Sequence, residues 1–240
     1  MHVIRLGRYP VKSFQGETLE AAEVTASGVD GDRRWAVVDQ ASGKALSAKR
    51  EPRLLEAAAA IDETGTVAVT LPDGTEAEAG DPQLDKAVAA WLGRDVKLQQ
   101  APDAGAAYEM NLDNTDEASP LVDIPCPPGT FLDFGAVHLL TTRSLGDWSV
   151  HRFRPTVLVE TDTDENEWIG REVTIGDVVL QPFMPTIRCV MTTRAQPVHG
   201  VARDLDVIKT VNKEHGSNLG VYAVVAQPGR IEVGQPVSVS

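Results

Sequence analysis

Thr66-Val67-Ala68-Val69-Thr70-Leu71 alternates apolar and polar positions with the two-residue period of a half-buried strand. Pro72-Asp73-Gly74 then supplies a turn, and residues 75–79 resume the alternation. This is a hairpin signal, and the same texture recurs outward from it. Val173 and Ile175, then Gly176-Asp177, then residues 178–180 predict a second hairpin. Residues 137–140 and 156–161 read as strands, and 219–226, 230–233 and 235–239 as strands that close a sheet. Helices are few. Asp81 caps one whose first residue is Pro82, with Leu84, Val88, Trp91 and Leu92 on one face and Gly93 just past the end. A short helix is expected within 141–150 and another from Asp204 through Leu205, Ile208 and Val211 to about His215. The expected class is mainly β with a few helices, and barrels are the commonest way for such a chain to remove sheet edges.

The chain has 240 residues, 42% of them hydrophobic, enough to bury one large core or two small ones. Its formal charge of -13 is the wrong sign for a protein that coats nucleic-acid phosphates. Two cysteines, Cys126 and Cys189, exclude a disulfide-rich scaffold, a four-cysteine zinc site and a cysteine-ligated iron–sulfur cluster. One bridge or two free thiols remain, and free thiols are the expectation. The amino terminus mixes charges into its apolar positions, unlike a signal peptide, and no apolar run approaches the roughly 20 residues that span a bilayer. A soluble, cytoplasmic protein with no membrane and no nucleic-acid partner is expected. Residues 101–120 carry Asp103, Glu109, Asp113, Asp116 and Glu117 with no Lys or Arg, the composition of a linker or loop.

Phosphate-loop, zinc-protease, dinucleotide-fold and serine-hydrolase motifs are all absent. The five histidines show no paired metal-ligand spacing and read as surface or structural residues. Positive charge gathers at Lys12-Ser13, at Arg33-Arg34 and in His151-Arg152-Phe153-Arg154-Pro155. Convergence of Lys12, Ser13, Arg33 and Arg154 would form an oxyanion pocket; ordinary surface ion pairs are the alternative. In Arg188-Cys189-Val190-Met191-Thr192-Thr193 a cation directly precedes a thiol, which favours the thiolate that attacks or binds a soft metal. A small buried hydrophobe is the plainer reading of such a cysteine. Cys126, flanked by prolines, reads as a loop thiol without function.

Tyr9-Pro10-Val11-Lys12-Ser13, Gly31-Asp32-Arg33-Arg34-Trp35 and Lys49-Arg50-Glu51-Pro52-Arg53-Leu54 resemble the β-barrel domain that precedes MOSC domains. Phe153-Arg154-Pro155, Ile175-Gly176-Asp177, Arg188-Cys189-Val190-Met191-Thr192-Thr193 and Asn218-Leu219-Gly220-Val221-Tyr222 are similar to the MOSC domain itself. The likeness spans nearly the whole chain, in order, and includes the amidoxime-reducing components. It implies a two-lobed protein: an N-terminal domain over 1–100, an acidic linker over 101–120 and a MOSC domain over 121–240. It further implies molybdenum cofactor (Mo-molybdopterin), with Cys189 as the metal's protein thiolate. Lys12, Ser13 and Arg33 then hold pterin and phosphate, Arg154 is the phosphate-side arginine, Ile187 and Arg188 flank the cofactor beside Cys189, and Tyr222 faces the pterin. Asp133 and Gly135 fall in the turn that offers donors, although Phe134 and Gly135 depart from the family's small and hydroxyl residues there.

The implied activity is two-electron reduction of an N-hydroxylated or N-oxide small molecule. Its electrons come from a separate partner of ferredoxin, flavodoxin or cytochrome type, since no cysteine follows Cys189. Arg194-Ala195-Gln196-Pro197 replaces the acidic turn of many amidoxime reducers, so the substrate-side loops differ. Two other readings use the same residues. One is a carrier that hands cofactor or sulfur from Cys189 to a client; the other is a metal-free thiol enzyme that recruits His138 or His151 as base.

Overall fold

The computed structural model describes residues 1–111 and 119–240. The predicted hairpins form. Ala58–Ile61, Val67–Thr70 and Glu76–Glu78 make a three-stranded antiparallel sheet, and its turn is held by Gly74 N donating to Leu71 O at 3.0 Å. Pro82–Leu92 is the predicted helix. The Asp81 side chain accepts from Gln83 N, Gly93 closes the end in the left-handed region, and Leu84, Val88 and Leu92 are buried against the sheet. Trp91 is only partly buried and meets Phe14 edge-on at 6.2 Å. Trp35–Asp39 pairs with Val96–Gln100 and completes this N-terminal body.

The larger sheet has eight strands in the order Val237–Val239, Val173–Ile175, Val178–Ile187, Asn218–Gln227, Val137–Thr141, Val157–Glu160, His2–Arg8, Glu17–Leu19. One neighbouring pair, Val137–Thr141 with Val157–Glu160, is parallel. Its crossover holds the short helix Thr142–Leu145 and a tight 3-10 turn at Val150–Arg152. The first strand of the chain thus belongs to the C-terminal sheet, and Ala21–Thr25 pairs with Gly229–Glu232 near the end. Val3, Leu6, Ala22 and Val24 share one core with Val173, Ile175, Val221 and Ile231, around a fully buried Trp168.

The sheet is mainly β as expected, but no continuous ladder closes it into a barrel among the described residues. Its ends meet through one isolated bridge, His2 to Pro236, with hydrogen bonds from Val3 N to Gln235 O, Gly234 N to Val3 O and Val237 N to Met1 O. Pro236 has no N–H to extend that seam. Val178–Ile187 also runs well past the predicted 178–180. It absorbs Pro182 and Pro185 through register shifts against Asn218–Gln227, the bulges that let a proline sit in a strand.

Within the acidic stretch expected as a linker, Ala107–Asn111 is a strand paired with Leu121–Pro125 and anchored by a buried Tyr108; residues 112–118 lie outside the described residues. Cys126, expected as an idle loop thiol, is buried beside Tyr108 and Phe131. Among the described residues no helix is long and apolar enough to cross a membrane.

Glu165 is fully buried where the strands bearing the site meet. It accepts hydrogen bonds from the hydroxyls of Thr141 and Ser144 and, at 2.7 Å, from Gly220 N. Gly220 sits at φ +85°, where a Cβ would lie 2.3 Å from His138 Nε2. Glu165→Ala strands three buried donors at once and is expected to lower unfolding free energy by about 3 kcal/mol or more, read from urea denaturation.

Candidate functional site

Between the two bodies lies a cavity lined by Lys12, Ser13, Arg33, Lys49, Asp133, Gly135, Arg154, Arg188 and Tyr222, among others. A second cavity adjoins it and shares Lys49, Tyr108, Asp133, Arg188, Met191 and Tyr222; this one contains Ile187 and Cys189. Every residue that the sequence singled out for a site therefore faces one cavity or the other. Lys12, Ser13, Arg33 and Arg154 do converge. Cys189 opens on the adjoining chamber rather than directly among them.

Local backbone explains the placement. Lys12 N donates to Trp35 O and Arg33 N to Tyr9 O, which stitches the two N-terminal basic loops together. Among the described residues four non-glycine residues take positive φ, namely Ser13 (69°), Arg33 (49°), Arg154 (53°) and Ser217 (69°). Three of them line the cavity, and the fourth accepts the Arg188 N–H at 2.8 Å. Left-handed backbone at such residues is uncommon and is held only where surroundings over-determine it. Here hydrogen bonds do so: Ser13 Oγ accepts from Ala48 N, and Arg154 N donates to Val150 O. Cys189 lies two residues beyond the long strand Val178–Ile187 and opens a tight turn. Its carbonyl accepts from the Thr192 N–H and hydroxyl, and Arg152 Nη1 donates to Thr192 O at 3.1 Å.

The first cavity carries five cations, Lys12, Arg33, Lys49, Arg154 and Arg188, against one lining carboxylate, Asp133, in a chain of charge -13. Lys12 Nζ donates to Asp133 Oδ1 at 2.6 Å and Phe131 O at 2.8 Å, and lies 4.1 Å over the Tyr108 ring. Burial opposes ionisation of Asp133, but Lys12, Lys49 and Arg33 outweigh it and hold its pKa at about 2. Arg33 is likewise penalised by burial. Its hydrogen-bonded ion pair with buried Asp32, helped by Tyr9 and Asp133, nevertheless raises its pKa.

Arg154 differs. It is 4% exposed, donates Nη2 to Phe14 O at 2.7 Å, stacks 4.2 Å from the Tyr9 ring and leaves Nη1 buried without a partner. Burial, with Arg33 adding repulsion, pushes its pKa down to about 10. A buried cation with an unmet donor is a site prepared for an anion.

Arg188 is spent on structure. Its guanidinium donates to Leu219 O, to Phe153 O at 3.1 Å and to His138 Nε2 at 2.6 Å. His138 is pushed well below its ordinary value by burial and by Arg188, and its Nδ1 faces Arg154 O at 3.5 Å. Both ring nitrogens are thus engaged, and the imidazole is not disposed to serve Cys189 as a base. Tyr222 and Tyr108 stay protonated because burial, then Asp133, disfavours the phenolate. Gly135 makes room for Tyr222, whose Cβ would stand 2.6 Å from any Cβ added there. Phe134 and Ile187 remain largely exposed at the mouth.

Sequence reasoning missed Lys49, Tyr108 and Met191 as lining residues and named His138 only as a base for a metal-free thiol. Lys49 lay inside a quoted motif without a role, and Tyr108 was hidden in a stretch read as linker.

Fold and site together define a two-bodied β protein with a cation-lined cavity and an accessible thiol between its halves. Comparison with known proteins agrees. Residues 1–112 match the MOSC N-terminal beta barrel domain and residues 134–238 the MOSC domain. The chain is therefore a MOSC-domain protein with the N-terminal domain that accompanies it, and it resembles the amidoxime-reducing components. It is 27% identical to human mitochondrial amidoxime-reducing component 1 and 28% identical to human mitochondrial amidoxime reducing component 2; each match covers 98% of this chain and 82% of the relative. The crystal structure of the YUAD protein from Bacillus subtilis shares the fold, with TM-score 0.51 and 8% identity over 99% of this chain and 94% of that one.

The low pKa of Asp133 has a stability consequence. Its native value of about 2 lies below the ordinary ~3.9, so its contribution is complete above about pH 4 and is lost as pH falls through 2. Urea midpoints of wild type and Asp133→Asn are expected to differ at pH 5 and to converge by pH 2.

Proposed function

We propose that this chain binds molybdenum cofactor between its two bodies and reduces N-hydroxylated or N-oxide compounds in the cytoplasm, with electrons from a separate redox protein of ferredoxin, flavodoxin or cytochrome type. The observation that carries the reading is the continuity of two chambers: one lined by cations with the unmet Nη1 of Arg154, the other holding the thiol of Cys189. The relatives' names supply the substrate class.

The residues suit the group. Lys12, Ser13, Arg33 and Arg154 present charge and donors to an anionic, phosphate-bearing ligand. Cys189 offers one soft sulfur, and among the described residues no group of three or more His, Cys, Asp or Glu stands ready to hold a metal ion alone. That donor set fits a metal that arrives already held by an organic carrier. When bound, molybdenum cofactor supplies two-electron oxygen-atom chemistry.

The chain's own groups bind, orient and tune. Arg188, adjacent in sequence, fixes the backbone that carries Cys189 through its bonds to Leu219 O and Phe153 O. Neutral Tyr108 and Tyr222 wall the shared part of the two chambers without adding charge. Asp133 holds Lys12 in place, and Gly135 lets Tyr222 close over the cavity. Ile187 and Phe134 give the Cys189 chamber an apolar entrance suited to an organic substrate.

The test is metal and pterin analysis of protein purified from a cofactor-competent host. Near-stoichiometric molybdenum is expected in the wild type, with at least a tenfold loss in Cys189→Ala and a clear loss in Arg154→Gln. Absence of molybdenum, or its full retention in Cys189→Ala, overturns the reading. Loaded protein with a chemical reductant is expected to reduce an amidoxime; transfer of cofactor to an apo-enzyme without any turnover identifies a carrier instead.

A further inference from the structure

Glu165 opens the tight turn Glu165–Trp168, which packs against Val137–Thr141, Val178–Ile187 and Asn218–Gln227, and it lines neither chamber. The hydrogen bonds of this fully buried side chain run in two directions. Oε2 accepts from the hydroxyls of Thr141 and, at 2.7 Å, Ser144; Oε1 accepts from Gly220 N at 2.7 Å. The N–H of Gly220 and the C=O of Leu219 belong to one planar peptide group. That carbonyl oxygen in turn accepts from Arg188 Nε at 2.8 Å and from Arg188 Nη2. A single peptide group therefore stands between a buried carboxylate and a buried guanidinium, bonded to each.

The acceptors of the Arg188 side chain, Leu219 O, Phe153 O and His138 Nε2, are uncharged, and so are the donors to Glu165. The two opposite charges reach each other through the amide, and hydrogen bonds on both sides of an amide polarise one another. Burial opposes the Arg188 charge, while Tyr222, Cys189 and Glu165 support it. The link also closes on itself. Thr141, which bonds Glu165, and His138, which accepts from Arg188, share the strand Val137–Thr141, and His138 stands opposite Tyr222 in its ladder with Asn218–Gln227. Gly220 is needed at the junction, because at φ +85° an added Cβ would run into His138 Nε2 and lie 2.8 Å from Leu139 O. The same segment grips Arg188 by its backbone as well, through the N–H that Ser217 O accepts at 2.8 Å. Cys189 is the next residue.

We propose that Glu165 is a positioning residue for the Cys189 thiol, acting through the Leu219–Gly220 peptide on Arg188 and so on the backbone that carries the sulfur. The inference deepens the cofactor reading and rests on it for the use to which the thiol is put. A neutral amide in place of the carboxylate keeps the shape and can still accept from Gly220 N, but it leaves the Arg188 charge in the interior without its opposite. Arg188 then loosens from Leu219 O, and Cys189 is held less firmly.

The experiment follows alkylation of Cys189 by iodoacetamide in the full-length, cofactor-free protein, read by peptide mass spectrometry, with buried Cys126 as the internal reference. Glu165→Gln is expected to speed alkylation of Cys189 by roughly fivefold or more while Cys126 stays protected, and to shift the Gly220 amide and Arg188 Nε proton resonances together. Ile231→Ala weakens the same core without touching the link and is expected to leave the Cys189 rate within about twofold of wild type. If Glu165→Gln does not fold, Glu165→Asp carries the same expectation, since it keeps the charge but is too short to span from Gly220 to Thr141 and Ser144. A Cys189 rate that is unchanged in the Glu165 variant, that rises equally in Ile231→Ala, or that rises together with Cys126 overturns the proposal, as does a shift at Gly220 without one at Arg188. None of these readouts involves the metal. Wild type without molybdenum defeats the cofactor reading and not the placement of the thiol, whereas molybdenum-bearing wild type with an unchanged rate in the variant defeats the proposal alone.

Discussion

A guanidinium cannot shed its proton to escape burial, so an enclosed arginine must find acceptors or a counter-charge. Arg188 finds acceptors, and the geometry of the site depends on it. Its bonds reach Leu219 on one strand, Phe153 beside the crossover turn and His138 on the neighbouring strand. The residue next in sequence is Cys189. One side chain thus ties together the pieces that would otherwise let the thiol wander. His138, kept neutral, is an acceptor in this arrangement rather than a catalyst.

Arg154 has the opposite bonding. Only part of its head is satisfied, its backbone is left-handed, and burial works against its charge. Ser13 and Arg33 add two more left-handed positions around the same space. Folding alone has no use for such concentrated strain and unpaired charge. Deposition of these features in one cavity, with the surrounding cores well packed, is what a surface prepared for a charged ligand looks like. The Tyr9 ring lies against both guanidiniums, Arg33 at 4.8 Å and Arg154 at 4.2 Å.

Much of this was legible in the residues. The helix over Pro82–Leu92 was readable because its cap, proline and glycine are all local signals. The Pro72-Asp73-Gly74 hairpin was readable for the same reason. Reach was not. Val178–Ile187 runs through two prolines that argue against a strand locally and are tolerated only because bulges against Asn218–Gln227 absorb them. The strand at Ala107–Asn111 was obscured by acidic neighbours, since its anchor, Tyr108, gains meaning only from the core it enters. The basic residues of the cavity could be picked out one by one. That Lys49 and His138 join them depends on tertiary neighbours far away in sequence, and no short-range pattern reports that. The open seam at Pro236 likewise follows from one missing N–H within an otherwise strand-like tail.

The opening strand His2–Arg8 finds its ladder partner at Val157–Glu160, and Ala21–Thr25 finds one at Gly229–Glu232. During synthesis Ala21–Thr25 therefore lacks its long-range ladder until residues 229–232 have emerged. The helix-bearing N-terminal body has local partners and is free to form early, whereas the large sheet is complete only once its late strands are available. Because the two ends are woven into one fabric, a cut between the two sequence-defined halves does not yield two foldable modules, and the cradle between them exists only in the finished whole.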